Sequence, residues 1–135
     1  QHSKEQEEMA TWMVESGADA IIGAHPHVIQ DHQEISGVPV VYSLGNAVSN
    51  MSAANTQLEL MAIIRIVRSY NGDTKMLPIE LRYLWCSLPG GYNQSYTVIP
   101  IEEYLDKKEE WHGKWDYDKM ISTYNRIKNT LNNNE

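Results

Sequence analysis

Phenylalanine is missing from this chain of 135 residues, and cysteine occurs once, as Cys86. A single thiol excludes an internal disulfide, and Cys86 reads as a small core side chain rather than a nucleophile. Basic residues are scarce: 11 Lys and Arg stand against 18 Asp and Glu, for a formal charge of −7. An acidic surface repels phosphate backbones, which argues against nucleic acid as a partner. It repels anionic polymers and phosphate esters equally, unless a local cation reverses the field at one place. No apolar run approaches the roughly 20 residues of a membrane helix, and no signal-peptide pattern is visible. Repeats are absent too, and no boundary divides the chain, so residues 1–135 read as a single domain or part of one. The first residue is Gln1, which suggests a piece of a longer protein. The hydrophobic content of 41% is close to the globular norm and supports a packed core.

What is present falls into a helix, a set of strands and a second helix. Ser3-Lys4-Glu5-Gln6 has the form of a capping box, with Glu5, Glu7 and Glu8 near the positive end of the helix dipole. Met9, Trp12 and Met13 follow at i, i+3 and i+4, and Gly17 supplies the stop. The pattern predicts a helix over residues 4–16. Ala20 to Gly23 reads as a short strand buried on both faces, ended by Pro26. Asp31 to Gln33 reads as a polar turn. Glu34-Ile35-Ser36, a turn at Gly37 and a second buried strand over Val40 to Leu44 come next. Leu58 to Arg68 predicts a longer strand with Leu58, Leu60, Ala62, Ile64 and Ile66 on one face. Asn71-Gly72 is a hairpin signal, and the return strand runs from Met76 to Trp85 with Pro78 at its start or at an edge. A short strand over 96–101 completes the mainly stranded region 20–101. Asp116 caps a final helix, 116–131, whose Met120, Ile121, Tyr124, Ile127 and Leu131 form an apolar stripe. The closing Asn132-Asn133-Asn134-Glu135 should fray.

The segment carrying chemistry is Gly17 to Gln30, GADAIIGAHPHVIQ. Residues i and i+2 of extended backbone project to one side, and Pro26 biases His25 towards extended geometry. His25 and His27 are therefore expected side by side on a loop following a strand. Paired imidazoles suit metal ligation; the alternative is a turn whose rings bond carbonyls or water. A zinc-like site needs three or four protein donors. Asp19, Asp31, His32 and Asn46 are the nearest further candidates, though each also fits a turn or a cap. His2 and His112 read as surface residues. The two buried strands both stop at a glycine followed by polar side chains, which is where α/β folds place their sites.

GADAIIGAHPHVIQ followed by GVPVVYSLGN resembles the closing part of the CapA family of bacterial capsule (poly-γ-glutamate) synthesis proteins, which share a fold with calcineurin-like metallophosphoesterases. The matching residues are Gly17-Ala18-Asp19, His25-Pro26-His27-Val28, Gln30 and Tyr42-Ser43-Leu44-Gly45-Asn46. The likeness is close over residues 3–46, and residues 58–101 agree in strand pattern only. It implies an α/β fold: the C-terminal half of a four-layer α/β/β/α sandwich, a mixed sheet with flanking helices. It also implies that His25 and His27 are metal ligands, and that Asn46 and Gln30 line the substrate cleft. The family position after Asn46 is aromatic, whereas this chain has Ala47. The earlier family motifs (a Gly-Asp, an Asn-His and a His-Trp-Gly) are not in the chain.

The resemblance implies a protein of capsule-polymer biosynthesis that uses one or more divalent metal ions on an anionic polymer or a phosphate-containing substrate. Its place would be extracytoplasmic or at the cell surface, in a membrane-associated capsule-synthesis complex. Two alternatives stand beside this reading. One is a calcineurin-like phosphoesterase hydrolysing a phosphate ester. The other is a non-catalytic assembly or binding module, on which Tyr70, Tyr83, Trp85, Tyr92, Tyr96, Trp111 and Trp115 either stack on a partner or fill the core. A half-sandwich would leave a sheet face bare, so an apolar patch or a homodimer is expected.

Overall fold

The computed structural model describes residues 1–132. It shows a mixed α/β architecture of small sheets and two helices. Helix α1 spans Lys4–Glu15. Ser3 Oγ accepts from the Gln6 N–H at 3.3 Å, and Gln6 Oε1 accepts from the Ser3 N–H at 2.8 Å, so the capping box forms as expected. At the other end Gly17, at φ 100°, donates to the Val14 carbonyl, and Ala18 donates to that of Met13. These two bonds satisfy carbonyls that the helix leaves without partners. The packed face differs from the expected one. Ala10 is buried with Val14 against Val40 and Tyr42, while Met9, Trp12 and Met13 are 59%, 64% and 36% exposed. The close approach of helix to sheet uses the small side chains, and the large apolar stripe points outward.

Strands β1 (Ile21–Ile22), β2 (His32–Ile35) and β3 (Val38–Val41) form a sheet in the order β1-β3-β2. β1 runs parallel to β3 and β2 antiparallel. The expected double burial of β1 is not found, since Ile22 is 38% exposed. The polar turn expected at Asp31 to Gln33 is instead the start of β2. A two-residue turn, Ser36 at φ 51° and Gly37 at φ 79°, has the mirror-image twist that hairpins favour. It fixes the register from Ile35↔Val38 to His32↔Val41, so polar side chains enter an edge strand through their backbones. Beyond β3, Tyr42 and Ser43 stay buried. A Cβ on Gly23 would lie 2.2 Å from the Tyr42 carbonyl oxygen, which explains the glycine closing the first strand.

The second sheet has the order β4-β7-β8, formed by β4 (Leu58–Ile63), β7 (Glu80–Ser87) and β8 (Thr97–Pro100). A separate two-stranded ribbon joins β5 (Ile66–Arg68) to β6 (Thr74–Met76) around the Asn71-Gly72 turn. The long hairpin expected from residue 58 to 85 is thus broken in two. Between the pairs Ile63↔Glu80 and Ile66↔Met76, one strand has Ile64 and Arg65 while the other has Leu77, Pro78 and Ile79. Pro78 cannot donate to a ladder, and the register slips by one residue there.

Helix α2 (Lys114–Asn132) covers this sheet. Leu58, Trp85, Ile99, Ile101, Trp111, Tyr117, Met120 and Tyr124 form the main core, with Ile121 and Ile127 against it. Aromatic edge-to-face pairs, such as Trp111–Tyr117 at 5.6 Å between ring centres, replace the missing phenylalanine. Asp116 is not the helix cap expected of it. It lies in the first turn, wholly buried, and accepts from Trp85 Nε1 and from the Ser87 hydroxyl. Asn132 closes α2, and the rest of the stretch expected to fray, residues 133–135, lies outside the described residues.

Candidate functional site

Parallel neighbours β1 and β3 end on the same side of their sheet, so the loops that follow them meet. His25-Pro26-His27 follows β1, and Gly45-Asn46 lies just beyond β3. The backbone at the histidines is not extended. His25 sits at φ 102° and His27 at φ 62°, in the left-handed region that costs a non-glycine residue about 1–2 kcal/mol. Strain of this kind collects at functional sites, where the surroundings over-determine the conformation. The two rings still lie next to one another, with centres 6.1 Å apart and planes at 40°. Both residues are exposed.

Asn46 joins the two loops. Its Nδ2 donates to the His27 carbonyl at 3.0 Å and to the Thr56 carbonyl at 3.2 Å. Its Oδ1 lies 2.8 Å from His27 Nδ1. A carbonyl oxygen can only accept, so this network assigns the proton to Nδ1 and leaves the Nε2 lone pair of His27 free. An outer amide or carboxylate that orients an imidazole in this way is the usual support of a metal-ligating histidine. An ion about 2.1 Å from each ligating nitrogen holds two ring centres no more than about 6.5 Å apart. The observed spacing of 6.1 Å lies inside that limit, which corresponds to ligands on opposite sides of the ion, and beyond the roughly 5.3 Å of a tetrahedral angle. Among the described residues, no group of three or more His, Cys, Asp or Glu side chains is placed to hold a metal ion.

The other candidates are placed elsewhere. The Gln30 side chain exchanges hydrogen bonds with that of Gln6 at 2.9 and 3.1 Å and donates to the Gln1 carbonyl. It ties α1 to the loop and makes no bond to the histidines or Asn46. Asp31 accepts from the His2 backbone at 2.8 Å and lies 3.0 Å from His2 Nδ1. Desolvation pushes the Asp31 carboxyl up, but the bonds and charge of His2 outweigh it and the net shift is downward. His2, expected at the surface, is stacked on Tyr42 with ring centres 3.8 Å apart. Asp19, His32, Ala47 and His112 are exposed. Among the aromatic residues considered for stacking, Trp85 and Trp111 are core, while Tyr70, Tyr96 and Trp115 are exposed.

One residue escaped the sequence reading altogether. Glu59 is 1% exposed, on the face of β4 that alternation assigns to solvent. Its burial pushes the carboxyl up from the ordinary 4.5 to about 8.

Comparison with known proteins bears on the first third of the chain above all. Residues 1–51, which include both histidines, Gln30 and Asn46, match the family model described as bacterial capsule synthesis protein PGA_cap. The PGA biosynthesis protein CapA of Bacillus subtilis (strain 168) is 30% identical over 76 residues, which is 56% of this chain and 20% of that protein. The capsule biosynthesis protein CapA of Bacillus anthracis is 42% identical over 55 residues, 41% of this chain and 13% of that protein. The matched stretch therefore spans a fifth or less of either relative. No solved structure matches the chain significantly. The CapA-type resemblance read from the motifs is borne out over this N-terminal part.

Proposed function

From the match of residues 1–51 to capsule synthesis proteins, we propose that this chain is the C-terminal portion of a CapA-type protein of capsule-polymer biosynthesis. On this reading it supplies half of a layered α/β/β/α sandwich, and the outward apolar stripe of α1 supports that arrangement. His25 and His27 contribute two imidazoles to a divalent-metal site whose other ligands lie elsewhere in the parent, and Asn46 fixes the His27 ring. The single observation that carries the metal-site part of the reading is the His27–Asn46 contact across the ends of two parallel strands. A bound metal would polarise an anionic group of the substrate or activate a water molecule. It would also supply the positive field that a chain of charge −7 lacks. The substrate is accordingly an anionic polymer or a phosphate ester, handled at the cell surface beside the membrane. No described helix is long and apolar enough to cross a membrane.

The test is made on the full-length parent. His25→Ala/His27→Ala is expected to lower metal content and to reduce phosphodiesterase or polymer-directed activity by at least 100-fold, in line with the loss of first ligands and their orientation. Unchanged metal content in the double variant would remove both residues from the role. Activity that is absent from the unmodified parent, with metal retained, would favour the non-catalytic assembly module.

A further inference from the structure

Neither carboxyl oxygen of Glu59 has a hydrogen-bond partner among the described residues, and both are sealed from solvent. Directly opposed residues of an antiparallel pair share a face. Leu84 therefore stands beside Glu59 on that face of the sheet, with Cys86 one step diagonally along β7. The irregular segment Gly45 to Thr56 lies over them. A Cβ on Gly45 would sit 3.5 Å from Glu59 Cα. Ser49 donates its N–H to Cys86 Sγ at 3.5 Å, and its carbonyl lies 3.7 Å from the same sulfur. Cys86 is fully buried under this cover.

Within the cover, Met51 N–H bonds Ser49 Oγ, and the Thr56 hydroxyl bonds the Met51 and Ala53 carbonyls. Outside it, the ties are Asn46 to His27, Ser49 to Cys86, and the Arg126 guanidinium of α2 to Asn55 Oδ1. Among the described residues no cation bonds Glu59: Arg126 of α2 reaches the cover but bonds Asn55 Oδ1. β7 presents Cys86, whose thiol is pushed up first by desolvation and further by the charges of Glu59 and Asp116. The neighbouring Lys119 of α2 is engaged by Gln57 Oε1. The cover itself, residues 45–56, carries no charged side chain. A carboxylate in such surroundings either keeps its proton or must reach water.

We propose that the segment Gly45 to Thr56 is a proton-locked lid, closed while Glu59 is neutral and released when Glu59 gives up its proton. Asn46 is part of this lid, so release also draws Asn46 away from His27. The sign follows from linkage. The closed form binds the proton more tightly than the open one, whose carboxyl titrates at its ordinary value. Opening is therefore favoured about tenfold per pH unit between about 4.5 and 8, and no further above that range.

Hydrogen–deuterium exchange of the 46–56 amides, corrected for the intrinsic pH dependence of exchange, tests this in the 135-residue chain. Protection is expected to fall close to tenfold per unit from pH 5 to pH 8, while that of Ile99 on β8 stays level. Glu59→Gln should abolish the slope. A level profile in the unmodified chain, the same slope in the variant, or an equal slope at Ile99 would each overturn the lid. Should Glu59→Gln fail to fold, glutamate labelled with carbon-13 at its carboxyl gives a second reading on the unmodified chain. A Glu59 midpoint near 8 supports the proposal, and a midpoint in the ordinary carboxylate range sinks it.

Discussion

Two acids are buried in the same half of the molecule, and their surroundings treat them differently. Asp116 has donors: the Trp85 indole at 3.3 Å and the Ser87 hydroxyl at 2.6 Å, with Ser87 Oγ in turn accepting from the Tyr92 N–H. Desolvation pushes its carboxyl up, and the bonds from Ser87, Trp85 and Gln57 pull against that shift. Glu59 has burial alone. The loop around Asp116 is closed by Gly91, where an added Cβ would lie 2.3 Å from Asp116 Oδ2 and 2.6 Å from Ser87 Oγ. Gly91→Ala therefore has to displace a buried polar pair and is expected to cost about 1–3 kcal/mol. Urea denaturation measures this, and an unchanged midpoint would show that the loop yields. Neither acid could be placed from the sequence. An aspartate at a helix start is most simply a cap, and a glutamate alternating with Leu58 and Leu60 is most simply solvated. What buried both were contacts from outside their own elements, the 45–56 cover for Glu59 and β7 for Asp116, which periodicity does not encode.

At the scale of elements, local chemistry was legible where it closes on itself. The capping box of α1, the stop at Gly17 and the Asn71-Gly72 turn each involve residues within a few positions of one another. Ser3→Ala should remove one side of that box and destabilise α1 by about 1 kcal/mol. Helical circular dichroism during urea titration reads the loss, and a silent substitution would mean that Gln30 and its partners hold the helix start without help. Strand β2 was not legible, because an edge strand needs only one paired side and its side chains can stay polar. The slip at Pro78 was half legible. Proline announces a missing donor, but the register change depends on how many residues each strand places between the flanking pairs.

For the molecule as a whole, the outward stripe of Met9, Trp12 and Met13 is the feature a closed globular domain would not retain. Replacing Met9 and Trp12 with lysine should leave α1 intact, since both are exposed, and should reduce self-association of the chain. Sedimentation velocity compares the two forms. A monomeric unmodified chain would mean that the stripe is tolerated in water. The candidate cleft was legible as a pair of histidines and an asparagine because the motif is contiguous at each end. Its assembly was not, because it rests on β1 and β3 being parallel neighbours, and on a backbone at His25 and His27 that proline rules do not anticipate.

The same strand pairing makes the Ser36-Gly37 turn a natural seam. A cut there would leave the imidazoles on one peptide and their amide brace on the other. The ladder of Ile21 and Ile22 with Val40 and Val41, the bonds of β2, the packing of α1 on Val40 and Tyr42 and the Asn46 bridge would then have to keep the cleft whole.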